Sequence, residues 1–210
     1  MQIHCIPFDF LKKHELWEWI SILKKEGKVK NFGISVESID EALYCLEQED
    51  IVSLQIIFNI FRQKPISSLF DRAKEKNIAL IVRLPLASGL LSGKITARRN
   101  FSPEDHRSYN RDGKVFNVGE TFAGLPLEKG IELADEMKSL LPAGMTMTQM
   151  AIRFILDFDA VTTVIPGATS VLQVKENASA GDLPPLSSEL HDQLKRFYDE
   201  KVASHIRGVY

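Results

Sequence analysis

Cysteine is nearly absent: Cys5 and Cys45 are the only two thiols in 210 residues. Two are too few for a disulfide framework, and they lack the CxxC spacing of a zinc or redox motif. They read as free thiols of a reducing compartment, and no metal site is expected. Neither sign of charge is in excess, with 26 Lys+Arg against 28 Asp+Glu, which argues against a nucleic-acid partner because such proteins carry a basic surplus. No apolar run approaches the ~18 residues of a membrane span. The opening Met1-Gln-Ile-His-Cys-Ile-Pro7 has no basic stretch followed by an apolar one, so no secretory signal is expected. A cytoplasmic protein without membrane contact follows. What is present is ordinary globular composition, 44% hydrophobic and 26% charged. It excludes a disordered tail and a collagen-like chain, and predicts a single domain over residues 1–210 with a sizeable core.

Short apolar runs alternate with helical patterns. Met1–Ile6, Val29–Ser35, Ile51–Ile57, Ile78–Val82 and Val161–Ile165 read as strands. Leu11–Glu26, Glu37–Glu47, Ile66–Lys76, Leu127–Leu141, Thr146–Phe158, Ser170–Ala180 and Ser187–Val202 read as helices, with Ser35 or Ser38 capping the second. The alternation pauses from Leu84 to Pro126, where no period is visible; a segment this long is functional or disordered. Near-continuous apolar strands separated by amphipathic helices predict a parallel sheet covered by helices. No GxGxxG follows a strand and no GxxxxGK[ST] is present, leaving a doubly wound sheet without its fingerprint or a TIM barrel. As a barrel, five βα units in 210 residues fall about three short of eight, and the deficit falls at the N-terminus.

Barrel active sites lie at the C-terminal ends of the strands. His4 and Ser35 end the first two runs, Gln55 lies inside the third, Arg83 ends the fourth, and Pro166-Gly167 follows the fifth. A lone histidine there is commonly structural. Gln55 is odder, because a buried unpaired amide costs ~1–3 kcal/mol. Arg83, after five apolar residues, needs an anion or an aromatic face. Gly167 leads into a helix start whose N–H groups and dipole suit phosphate, although plain capping by Thr169 or Ser170 explains the same residues.

Taken together, Gln2-Ile-His-Cys5, Gly27-Lys-Val-Lys-Asn-Phe-Gly-Ile-Ser35, Gln55, Pro85-Leu-Ala-Ser-Gly-Leu-Leu-Ser-Gly-Lys94 and Ile165-Pro-Gly-Ala-Thr-Ser170 with Gln173-Val-Lys-Glu-Asn177 resemble, in order, the C-terminal part of the aldo/keto reductases. These are (β/α)8-barrel enzymes that use NADPH. The pattern is closest to the branch that includes potassium-channel β-subunit-like members. The resemblance implies a partial (β/α)8 TIM barrel, strands four to eight plus C-terminal helices. It implies that His4 orients the substrate carbonyl, that Ser35 and Gln55 bond the nicotinamide carboxamide, and that Arg83 stacks on the ring. Leu84, Pro85, Leu86, Ala87, Ser88, Gly89 and Lys94 would cover the pyrophosphate, with residues 84–126 as the loop over the cofactor site. Gly167, Thr169, Gln173, Glu176 and Asn177 would form the adenosine and 2′-phosphate pocket.

This chain departs from the pattern in three ways. Val36 stands where many members have Asn, and Gly167 and Gln173 replace the Lys and Arg that grip the 2′-phosphate elsewhere. The family's aspartate, tyrosine acid and lysine belong upstream of the strand holding His4, and none of Tyr44, Tyr109, Tyr198 and Tyr210 matches that tyrosine. The expectation is an NADP-dependent reductase of aldehydes or ketones by family, inactive alone, with a small carbonyl compound as substrate. Its open barrel edges are where an oligomer would form. The alternative is a non-catalytic NADP-binding module acting through a partner. A sugar-phosphate isomerase or aldolase is disfavoured by the lack of a strand-end lysine or paired strand-end carboxylates. Arg98, Arg99, Arg107 and Arg111 make the long loop either a solvated basic segment or a lid.

Overall fold

A computed structural model describes all of residues 1–210. Its five strands are β1 (Gln2–His4), β2 (Phe32–Ser35), β3 (Ile51–Ile57), β4 (Ala79–Arg83) and β5 (Val161–Val164). They lie side by side in chain order, every neighbouring pair parallel. That order with helical crossovers is the winding of a (β/α)8 barrel over part of its circumference. Helices α1 (Phe8–Leu11) and α2 (His14–Lys25) join β1 to β2, α3 (Ile39–Leu46) joins β2 to β3, and α4 (Pro65–Ser68) and α5 (Phe70–Glu75) join β3 to β4. Between β4 and β5 lie α6 (His106–Tyr109), α7 (Leu127–Met137) and α8 (Met147–Leu156); α9 (Val171–Ser179) and α10 (Ser188–Phe197) follow β5. No helix is long and apolar enough to cross a membrane.

The two faces of the sheet differ because side chains alternate along a strand. Ile34, Leu54, Leu80 and Val82 point into the helical layer and are 0% exposed. There Phe58, Phe70, Phe154 and Phe158 pack with ring centroids 5.0–5.6 Å apart. The opposite, concave face carries Gly33, Ser35, Ser53, Gln55 and Arg83 together with Ile57 and Ile81. A methyl on Gly33 would collide with Ser53 Oγ at 2.1 Å and Gln2 Oε1 at 2.3 Å, so only glycine fits between those side chains. Helices α3, α6, α8, α9 and α10 start at side-chain caps. Ser38, not Ser35, caps α3 in a capping box with Glu41, and Thr146 with Gln149 does the same for α8.

Several sequence-derived bounds need correction. The first strand is three residues long and the second begins at Phe32 rather than Val29. The helix expected over Leu11–Glu26 runs from His14 to Lys25 as α2, with the short α1 ending at Leu11 before it, and Ile66–Lys76 breaks at Leu69, since four-residue helices are too short to show a period. The last helix is regular to Phe197 and continues to Val202 as a wider π turn. Residues 84–126 are ordered by their own polar side chains. Asn110, fully buried, accepts the Val115 and Phe116 N–H groups at 3.0 Å each and donates to Thr121 Oγ1 at 3.2 Å. Of its arginines, Arg107 grips Asp105 in a two-pronged pair and stacks 4.4 Å from Phe101, Arg111 approaches Glu128 at 4.0 Å, and Arg98 and Arg99 are exposed.

Candidate functional site

The strand register builds the site. His4, Ser35, Gln55 and Ile81 lie opposite one another across β1 to β4, and Arg83 stands two residues further towards the C-terminal end of β4, on the same face. Ser35 is 1% exposed and donates to Gln55 Oε1 at 3.1 Å, so the odd amide of β3 has a partner. His4 is exposed at the rim. Arg83 is 7% exposed and has an anion, one of the two kinds of partner expected for it. Its Nη1 pairs with Glu120, and its Nη2 donates to the carbonyl of Val36 at 3.1 Å and to Cys5 Sγ at 3.5 Å. Cys5 Sγ lies 3.4 Å from Ser35 Oγ. One continuous network thus joins the ends of β1, β2, β3 and β4.

The segment after β4 is strained. Leu84, Ala87 and Ser88 have φ of 54, 48 and 55°, in the left-handed region that costs an L-residue ~1–3 kcal/mol each, and Gly89 at 102° takes a conformation natural only to glycine. Neighbours hold the strain in place. Asn59, 0% exposed, donates to the Leu84 carbonyl at 2.9 Å. Ser88 Oγ donates to the Glu120 carbonyl at 3.2 Å and accepts the Phe122 N–H at 3.0 Å, tying this turn to the segment that delivers Glu120. Pro85 and Ala87 are buried and Leu86 is half-buried.

The outer part of the rim is looser. Ser170 caps α9 by accepting the Gln173 N–H, and Gln173 Oε1 accepts from the Thr169 N–H at 2.6 Å and hydroxyl at 3.1 Å. Asn177, 9% exposed, donates to the Gly167 carbonyl at 3.2 Å. Nothing lies within 4 Å of where a Gly167 side chain would begin, so its backbone is open to approach. Lys94 meets Glu176 at 3.7 Å, drawing the segment after β4 towards α9. The central residues therefore form one cluster, while Lys94, Gly167, Thr169, Gln173, Glu176 and Asn177 form a second on the same rim.

Sequence reasoning missed Glu120, Glu37, Cys5 and Arg62. Ligand atoms of Cys5, Glu37 and Glu120 lie within 4.8 Å of one another. Burial, then the neighbouring Glu120 and Glu41, push the Glu37 carboxyl up; burial likewise raises the Cys5 thiol. Arg62 is 1% exposed, lies 4.3 Å over the Tyr210 ring and donates to the Val209 carbonyl at 2.7 Å; burial lowers it to about 10. Its signal was a charged residue five positions past an apolar strand.

A parallel strand-and-helix barrel with polar side chains converging at the strand ends defines a class of enzyme scaffold. Within it, the aldo/keto reductase family profile matches residues 1–199, and the chain belongs to that family. It is 26% identical over 169 residues to the uncharacterized oxidoreductase YqkF of Bacillus subtilis, covering 80% of this chain and 49% of that protein. It is 32% identical over 114 residues to the L-glyceraldehyde 3-phosphate reductase of Escherichia coli K12, 54% of this chain and 32% of that one. Among solved structures, an aldo-keto reductase from Bacillus halodurans in its holo form superposes on all of this chain with a TM-score of 0.68, 24% identity and 59% of its own length covered. The chain spans half or less of the length of these curated relatives.

Proposed function

We propose that this chain is the cofactor-binding part of an NADP-dependent aldo/keto reductase that reduces aldehydes or ketones by hydride transfer. The carrying observation is the Ser35–Gln55 hydrogen bond at 3.1 Å beside Arg83, where three adjacent strands end together. The residues fit a nicotinamide dinucleotide in their donor chemistry. A hydroxyl and an amide stand side by side for a carboxamide. Arg83 Nε is buried without a partner, and the Gly167 backbone is open. The bound nicotinamide would supply the hydride.

In this reading Ser35 and Gln55 orient the carboxamide, and His4, exposed beside them, orients the carbonyl. Arg83 supports the ring from within the sheet. The turn from Leu84 to Gly89, with Lys94, covers the pyrophosphate; Arg107 Nη1 stands 3.7 Å from where a Gly89 side chain would begin and adds positive charge there. Gly167, Thr169, Gln173, Glu176 and Asn177 receive the adenosine end. Both cofactors carry the pyrophosphate, so preference for the phosphorylated one rests on a cation at the adenosine end, where Gln173 is neutral and Lys94 reaches Glu176 at 3.7 Å. A relative, the NADH-specific methylglyoxal reductase of Escherichia coli, is 26% identical. The site of action is cytoplasmic.

Proton donation is the step these residues do not provide. Tyr44 packs against Phe8 and Trp17, and Tyr109 lies against Phe116. Tyr198 and Tyr210 bond each other at 2.7 Å, and burial pushes both phenols up, the wrong direction for an acid. General acid help is worth 10²–10⁴-fold. NADPH oxidation with 4-nitrobenzaldehyde is therefore expected at background for this chain alone, and turnover well above background would refute its inactivity.

A second reading is a non-catalytic NADP-binding module acting through a partner. Its support is 30% identity over 161 residues to a probable voltage-gated potassium channel subunit beta of Arabidopsis thaliana. The edges β1 and β5 are where another chain would pair. Light scattering at rising concentration tests that pairing; a monomer throughout removes self-association.

A further inference from the structure

Glu120 comes from the long segment between β4 and α7, yet its carboxylate sits at the centre of the mouth. It pairs there with Arg83, which is braced by the Val36 carbonyl and by Cys5; Cys5 touches Ser35, and Ser35 bonds Gln55. Glu37 lies alongside. Arg62 is a further charge in the group; its Nη2 donates to the Val209 carbonyl and it lies over the Tyr210 ring, while its Nη1, beside Gly119, is buried without a partner. A pair serving only to pin a loop would satisfy both ends. Here Arg83 Nε and Glu120 Oε1 are buried and have no partner. Each retains hydrogen-bonding capacity beside the ends of the strands that Arg83 and its partners join.

Resting on the reading that Ser35 and Gln55 hold the carboxamide, we propose that the Glu120–Arg83 pair lies against the nicotinamide and sets which oxidation state of the cofactor the site prefers. The ring is a cation when oxidised and neutral when reduced. A carboxylate at contact range favours the cation and a guanidinium opposes it. Coulomb energy grows as distance and screening water fall, so the two charges do not cancel at a ring that touches both. Glu120 favours the oxidised form, and Arg83 limits that bias.

The test is the ratio of dissociation constants, Kd for NADP⁺ over Kd for NADPH, measured by calorimetry on the whole chain. Glu120→Gln is expected to raise the ratio about tenfold, and Arg83→Gln to lower it by a similar factor. Arg83→Lys keeps the charge and is expected to hold the ratio within about twofold of the parent. The ratio is insensitive to a misfolded fraction, and Glu120→Gln, nearly isosteric, decides the matter if Arg83→Gln does not fold. Unchanged ratios with both nucleotides still bound overturn this proposal and leave the cofactor reading standing. Equal tightening of both nucleotides by Glu120→Gln would make Glu120 a plug and also overturn it. Failure of the unaltered chain to bind either nucleotide overturns both readings.

Discussion

The centre of the mouth and its outer rim are built differently. At the centre, Ser35, Arg83 and Asn59 are at most 7% exposed, and their partners come from distant parts of the chain. At the rim, Thr169, Ser170 and Gln173 bond within one helix start, and the Lys94–Glu176 pair has its lysine 68% exposed. A charge at the centre is held with little water to screen it, whereas a charge at the rim is free to move with a ligand. Substitutions at the centre should therefore damage the fold, and substitutions at the rim should leave it nearly intact.

The largest effect is expected at Arg83. Arg83→Met leaves Glu120 largely buried without its counter-ion, and breaking such a pair costs about 3–5 kcal/mol; urea unfolding should show a midpoint far below the parent's. Asn59→Ala removes the bond to the Leu84 carbonyl and the one its Oδ1 accepts from the Phe61 N–H. It should cost about 1–3 kcal/mol and free the strained turn, visible as faster amide exchange at residues 84–89.

Asp105 tests the region between centre and rim through pH. Arg107 holds its carboxyl down at about 2, against an ordinary value of 3.8. The folded pKa is depressed, so the stabilisation is fully present above pH 3.8 and is lost as pH falls through about 2. Asp105→Asn should be less stable than the parent at pH 6, with the gap closing in acid; a gap constant from pH 6 to pH 2 would contradict this pairing. The smallest effect is expected at the rim, where Lys94→Ala should change stability by less than about 0.5 kcal/mol, with any effect fading in 1 M salt. A loss as large as that of Asn59→Ala would erase the contrast between the two regions.

The five strands and the polar residues at their ends were legible because apolar runs and strand-end positions are local properties. Gln55 announced itself as an amide in an apolar strand, and Arg83 as a charge needing an anion or an aromatic face. The anion was not legible. Glu120 lies 37 residues further on, in a segment whose order comes from Asn110, Ser88 and Thr121 side chains rather than from any period. The contact of Tyr210 with Lys64, 146 residues apart, was equally hidden. The turn after β4 was misleading for another reason: Leu84, Ala87 and Ser88 adopt left-handed backbone without being glycine, so composition gave no sign of it.

On this proposal both regions embrace one dinucleotide. Hydrogen–deuterium exchange with and without NADP⁺ measures this directly. Simultaneous protection is expected at the ends of β2 and β3, at residues 84–94 and at residues 167–177, with the helical layer unchanged. Protection at only one of these places, or at none under saturating nucleotide, would contradict it.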